Sequence, residues 1–251
     1  MNKTLIGILV GAAIVIGAAM YFFQGGTDEL VINFDGPDPA PKKGFEMVIS
    51  EFEKEYPDIK VKWNLFDHEG YKTSIRNFLS ADPPDVAAWY AGNRMAPFVK
   101  AGLFEDVTDL WEQEGFNQSL AAAAPSMTID GKKWGVPYTY YQWGVYYRQD
   151  IFEKLGIAVP KTWDEFLAAC ATLKKNGVTP ITIGTKFLWT AAGVFDYLNL
   201  RVNGYDFHND LTAGKVTYTD ARTQKVFDHW DQLVKPGYFV KNHASLSWQD
   251  A

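Results

Sequence analysis

Apolar positions along this chain change period repeatedly, and the changes predict alternating strands and helices. Glu29 to Phe34 (ELVINF) reads as a short apolar strand ended by the turn-rich DGPDPAP. Phe45, Val48, Ile49, Phe52 and Tyr56 then fall at helical spacing until Pro57 stops the helix. Ile59, Val61, Trp63 and Leu65 alternate with polar residues as a second strand, and Tyr71, Ile75, Phe78 and Leu79 mark a second helix. After Pro83 and Pro84, Asp85 to Tyr90 (DVAAWY) is a continuous apolar run of the buried-strand kind. That order predicts an α/β fold with a mainly parallel sheet and covering helices.

Met95 to Ala101 reads as a short helix closed by Gly102, Val107 to Trp111 as another, and Asp130-Gly131 as a hairpin turn. Val136 to Phe152 (VPYTYYQWGVYYRQDIF) carries five tyrosines and one tryptophan around Gly144. Alternation of Val136, Tyr138 and Tyr140 against Thr139, Tyr141 and Trp143 predicts an extended strand with aromatic side chains on both faces. It suits the floor of a binding cleft, or equally a tyrosine-rich core strand. Gln149 to Leu155 reads as a helix stopped by Gly156, and Thr162-x-x-Glu165 is a capping box ahead of Phe166, Leu167, Cys170 and Leu173. Pro180 to Gly184 reads as a short strand, Trp189 to Val202 as a helix ending near Gly204, and Val226, Phe227, Trp230 and Leu233 mark the last clear helix.

With 47% apolar residues, 251 positions suffice for one large domain or two ordinary ones. Aromatic residues make up 16%, with nine tryptophans, and this surplus must be buried or offered to a partner. Carbohydrate is such a partner, because one face of a pyranose is apolar while its edge carries hydroxyls. The net charge of -6, without a long basic run, argues against nucleic acid. The single Cys170 rules out an intrachain disulfide and sits on the apolar side of a predicted helix as a small core residue. His68, His208, His229 and His243 show no metal-ligand spacing, and no nucleotide or nucleophile-elbow motif occurs, so neither a metal nor another cofactor is expected.

Residues 1–26 read as an export segment. Lys3 precedes an uncharged run of 19 residues from Leu5 to Phe23, at the threshold for spanning a bilayer, about 18 residues or more. Gly17-Ala18-Ala19 offers small residues for signal cleavage, so signal peptide and retained anchor both stay open. Either way the remaining chain lies outside the cytoplasm.

YPDIKVKW (56–63), DHEGYKTSIRNFLSADPPDV (67–86), AGLFEDVTDLW (101–111), GKKWGVPYTYYQWGVYYRQDIFEKLGI (131–157), PKTWDEF (160–166) and FDYLNLRVNGYDFH (195–208) occur in an order that resembles the family 1 extracellular solute-binding proteins of ABC sugar importers. The resemblance runs from Leu30 to the end and includes maltose-binding protein in its family. It implies a type II periplasmic-binding-protein fold: two α/β lobes joined by crossing strands at a hinge, with sugar held between them by stacking and hydrogen bonds. The expected organisation is an N-terminal lobe over 27–142 and a partial C-terminal lobe over 143–251, since the family's chains continue past the equivalent of Ala251. The implied partners are a mono- or oligosaccharide and permease subunits, with the membrane reached only through the N-terminal segment. A carbohydrate-active hydrolase and a membrane-tethered ligand sensor are the alternative functions.

The candidate ligand-binding residues lie in loops at strand ends, where open α/β sheets bind ligands. Asp35 follows the first strand and could accept from sugar hydroxyls or serve its turn. Asp67 follows the second and could equally cap a helix. Trp89, Tyr90, Asn93 and Arg94 combine two rings with an amide and a guanidinium. Tyr140, Tyr141 and Trp143 come from the aromatic stretch, and Trp189 opens a helix in the second lobe. Trp248 is left outside the set. Asp35 and Asp67 could in principle flank a glycosidic bond in a hydrolase.

Overall fold

The computed structural model describes residues 29–36, 38–139 and 143–251. It divides into two compact units, with the boundary between residues 142 and 143.

The first unit is built on a parallel sheet of β1 (Glu29–Asp35), β2 (Lys60–Phe66) and the two-residue β3 (Val86–Ala87), in the order β2-β1-β3. Alternation along β1 sends Leu30, Ile32 and Phe34 to one face and Val31, Asn33 and Asp35 to the other. Helix α1 (Pro39–Glu55) covers the first face, where Phe52 closes a cluster with Leu30 and Ile32. Helix α2 (His68–Ala81) supplies the buried Tyr71, Ile75 and Leu79 of a second cluster. The connections between these strands are thus helical, as parallel pairing requires.

Helix α1 begins inside DGPDPAP, six residues before Phe45. Pro39 occupies its first turn, where a missing N–H costs nothing and the ring's φ suits a helix. The buried strand expected over 85–90 shrinks to β3, a half-buried edge strand, continued by one bond from the Ala88 amide to the Asn33 carbonyl. Short helices α3 (Ala96–Lys100), α4 (Thr108–Gln113) and α5 (Phe116–Ser119) follow, and then the hairpin of β4 (Thr128–Ile129) and β5 (Lys132–Lys133). Asp130 and Gly131 both take positive φ in its turn, 52° and 78°, as a tight two-residue hairpin demands. Trp111 is fully buried beneath this hairpin and donates to the Gly135 carbonyl at 2.9 Å.

The aromatic stretch does not form the expected strand. Residues 134–139 and 143–148 belong to no sheet, and 140–142 lie outside the described residues. A period-2 pattern becomes a strand only when a neighbour completes its ladder, and no described segment pairs here. Tyr146 is 80% exposed and Val145 63%, so no apolar face pulls the segment flat.

The second unit is mainly helical: α6 (Gln149–Leu155), α7 (Trp163–Lys175), α8 (Trp189–Asn203), α9 (Tyr205–Thr212) and α10 (Ala221–Val234). Gly156 ends α6 in the left-handed conformation, and Thr162 with Glu165 forms the complete capping box of α7. The core joins Phe195 and Leu198 of α8, Phe207 and Leu211 of α9, and Val226 of α10. Within it Asn199 is fully buried and bonds His208 and Asn203. The strand expected over 180–184 reduces to one parallel bridge between Ile181 and Phe239. Cys170 is buried on α7, and burial pushes its thiol up to about 11.

Candidate functional site

In the first unit the parallel register assembles a polar cluster at the carboxyl ends of the strands. Asp35, the last residue of β1, lies opposite Phe66, so the residues leaving β2 arrive beside it. Pairing of Asn33 with Ala87 brings Trp89 and Tyr90 along its other flank. The Asp35 carboxylate accepts from His68 Nδ1, 3.1 Å from each of its oxygens, and from the Tyr90 hydroxyl at 3.1 Å. A carboxylate accepts only, so Nδ1 of His68 carries the proton of that bond. The Arg94 guanidinium lies 4.0 Å from the Tyr90 ring centroid and 5.3 Å from that of Trp89, within cation–π range. Trp89 Nε1 donates to the Arg94 carbonyl at 3.0 Å, which ties the loop to the ring.

Below this cluster the buried Tyr71 hydroxyl donates to the Asn33 carbonyl. Burial first, and then the nearby Asp35 charge, raises its pKa well above the ordinary tyrosine value, so it stays a neutral donor. Trp89 packs on Phe98 and Tyr71 as well as Tyr90, so one part of its ring belongs to the core around α2. Asn93 sits exposed on the short helical turn Gly92–Arg94. Asp67 takes the N-cap of α2, its Oδ1 accepting from the Gly70 amide at 2.8 Å.

His68 is the residue that sequence reasoning missed. Spacing rules cannot see it, because its partner Asp35 is 33 positions away on the neighbouring strand. The available signal was its place two residues past β2, at the same sheet end as Asp35.

In the second unit three tryptophans gather around the first turns of α8. Trp143, half exposed, has its indole edge against α8 at Gly193, one helical turn beyond Trp189 on the same face. Trp248 meets Trp189 edge-on, ring centroids 6.4 Å apart at 65°. The chain's last turn arrives there through bonds from the Thr185 amide to the His243 carbonyl and from the Lys186 amide to the Leu246 carbonyl. Gly184 makes that approach possible, since a β-carbon there would overlap the Ser247 backbone. Tyr140 and Tyr141, the other two expected contacts, lie outside the described residues.

One unit thus holds a carboxylate-organised polar cluster beside aromatic faces, and the other three tryptophans near the start of α8. Among the described residues no group of three His, Cys, Asp or Glu side chains is arranged to hold a metal ion.

Residues 36–251 match the family model for bacterial extracellular solute-binding proteins, and the chain belongs to that family. An uncharacterized ABC transporter extracellular-binding protein of Pyrococcus horikoshii is 28% identical, over all of this chain and 61% of its own length. The multiple sugar-binding protein of Streptococcus mutans is 29% identical over 72% of this chain and 42% of its own length. Among solved structures, the bacterial solute receptor AcbH, described as preferring β-D-galactopyranose exclusively, superposes with a TM-score of 0.81 and 34% identity, covering 88% of this chain and 56% of AcbH. RafE in complex with raffinose gives 0.70 at 26% identity, over 89% and 58%. The chain therefore has a type II solute-binding fold, and it spans about three fifths of the length of the P. horikoshii relative.

Proposed function

We propose that this chain captures a mono- or oligosaccharide outside the cytoplasm and, as part of its whole protein, delivers it to the permease of an ABC importer. The observation that carries this reading is the Asp35–His68–Tyr90–Arg94 cluster beside Trp89, in a chain of the solute-binding family. Asp35 fixes the histidine and tyrosine. The Tyr90 oxygen, its proton given to Asp35, then presents an acceptor and Arg94 presents donors in set directions to sugar hydroxyls, while flat rings take the apolar sugar face. The tryptophans of the second unit supply stacking of the same kind. AcbH and RafE, named for galactopyranose and raffinose, support sugar as the ligand class.

Binding without hydrolysis is part of the proposal. The two aspartates that could flank a glycosidic bond have other partners: Asp67 caps α2, and Asp35 is held by His68 and Tyr90. Residues 1–26 are proposed as the export signal or tether.

Titration calorimetry against galactose, raffinose and stachyose, with chromatography of the recovered sugars, tests the reading. Saturable binding of at least one sugar, recovered intact, is expected. Binding of none would refute sugar capture, and shortened sugars above background would refute the non-enzymatic reading.

A further inference from the structure

Gly193 lies inside α8, where glycine is a poor helix former and no turn or positive φ requires it. What it does provide is space. A β-carbon at this position would stand 2.9 Å from Cζ2 and 3.1 Å from Cη2 of Trp143, and among the described residues no other atom outside its own neighbourhood in the chain comes within 4 Å. Carbon atoms pack at about 3.5 to 4.0 Å, so the two cannot coexist unchanged. The indole edge is the far end of a half-exposed side chain, whereas the helix backbone is held by its own ladder and by the Phe195 and Leu198 core contacts. The ring would give way, not the helix.

Trp189, one turn earlier, faces the same side of α8, and Trp248 is set against it. The depth at which Trp143 settles on the helix therefore fixes its offset from the other two rings.

We propose that Gly193 is a positioning residue for sugar recognition: its missing side chain lets Trp143 settle onto α8 level with Trp189, so that the rings present one stacking wall. This rests on the sugar-capturing reading above. The positioning acts through Trp143, and Gly193 itself need not touch the ligand.

Gly193→Ala separates this role from a structural one, because alanine is the better helix former and the described residues set no other obstacle to it. The chain is labelled with 5-fluorotryptophan, whose nine signals report nine tryptophans, and Trp143→Phe identifies the Trp143 signal by its loss. In Gly193→Ala the Trp143 signal should move while Tm stays level or rises by a few degrees. Affinity for whichever of galactose, raffinose or stachyose the parent binds should fall by roughly three- to tenfold, the scale of a displaced stacking contact. In the Trp143→Phe background the same substitution should cost little further affinity, since the two changes act on one contact.

An unmoved Trp143 signal would overturn the placement. A moved signal with unchanged affinity, or an equal loss in the Trp143→Phe background, would overturn the positioning role while leaving sugar capture intact. A parent that binds none of the sugars would instead overturn the sugar reading, and with it this role.

Discussion

Asp35 is the residue on which the first unit's polar cluster turns. Its side chain is 10% exposed, and both oxygens accept hydrogen bonds. Asn in its place keeps one acceptor and turns a donating amide toward another donor, so either His68 or Tyr90 loses its partner. Leaving such a buried donor unmatched costs about 1 to 3 kcal/mol. Asp35→Asn is expected to lose stability on that scale and to weaken sugar binding, read by denaturant titration and calorimetry; unchanged values in both would remove Asp35 as organiser. Tyr90→Phe deletes only the hydroxyl bond and keeps the ring beneath Arg94, so the smaller loss of about 0.5 to 1.5 kcal/mol should follow. Cys170 offers a separate check on burial. A thiol pushed up to about 11 inside α7 holds almost no thiolate at neutral pH, and a thiol reagent should leave it unmodified until the chain is unfolded. Prompt modification of the folded chain would show that α7 opens readily.

Elements that carry their own chemical signals were legible before the structure. The Asp130-Gly131 turn, the Thr162–Glu165 box and the Gly156 stop specify their backbone from neighbours within four residues. Thr162→Ala should accordingly cost about 1 kcal/mol in unfolding of the second unit. Strands were less legible, because their existence depends on partners far along the chain. Asp85–Tyr90 and Pro180–Gly184 have strand composition but obtain a two-residue pairing and a single bridge, and the described parts of Val136–Phe152 obtain none. The same reason hid His68, while Trp248 joined Trp189 through loop bonds with no local signature. Tertiary ties also set a pH response at element ends. Lys132 of β5, and then Thr108 at the start of α4, hold the Asp106 carboxyl down at about 2, against an ordinary value near 4. In the second unit Arg222 and its amide hold Asp220 down at about 2 at the head of α10. A carboxyl whose folded pKa is depressed contributes stability above its unfolded pKa and loses it as pH falls toward the folded one. Asp106→Asn and Asp220→Asn should therefore lower Tm at neutral pH, and the gap to the parent should close between about pH 4 and pH 2. A gap that persists at pH 2 would place the effect outside these ion pairs.

At the scale of the whole molecule, the two units are held together internally by different means. In the first, β1 is paired on both sides and covered by α1 and α2, so the Ile32, Asn33 and Phe34 amides open only when the unit itself comes apart. In the second, the described residues form no strand beyond a single bridge. Its order rests on α8, α9 and α10 around Phe195, Leu198, Phe207 and Val226, while the Ile181–Phe239 bridge is closed by only two amides, those of Ile181 and Val240. Local openings follow buried contact density, so a bridge without ladder neighbours exchanges well before helices with a shared core. Hydrogen exchange on the 251-residue chain should therefore find β1 slowest, the Leu198 and Val226 regions of α8 and α10 next, and the Ile181 and Val240 amides fast. Protection of Ile181 and Val240 as strong as that of Ile32 and Phe34 would mean that the second unit contains a true sheet. Its stability would then rest on strand pairing and not on the core of the helices that carry Trp189.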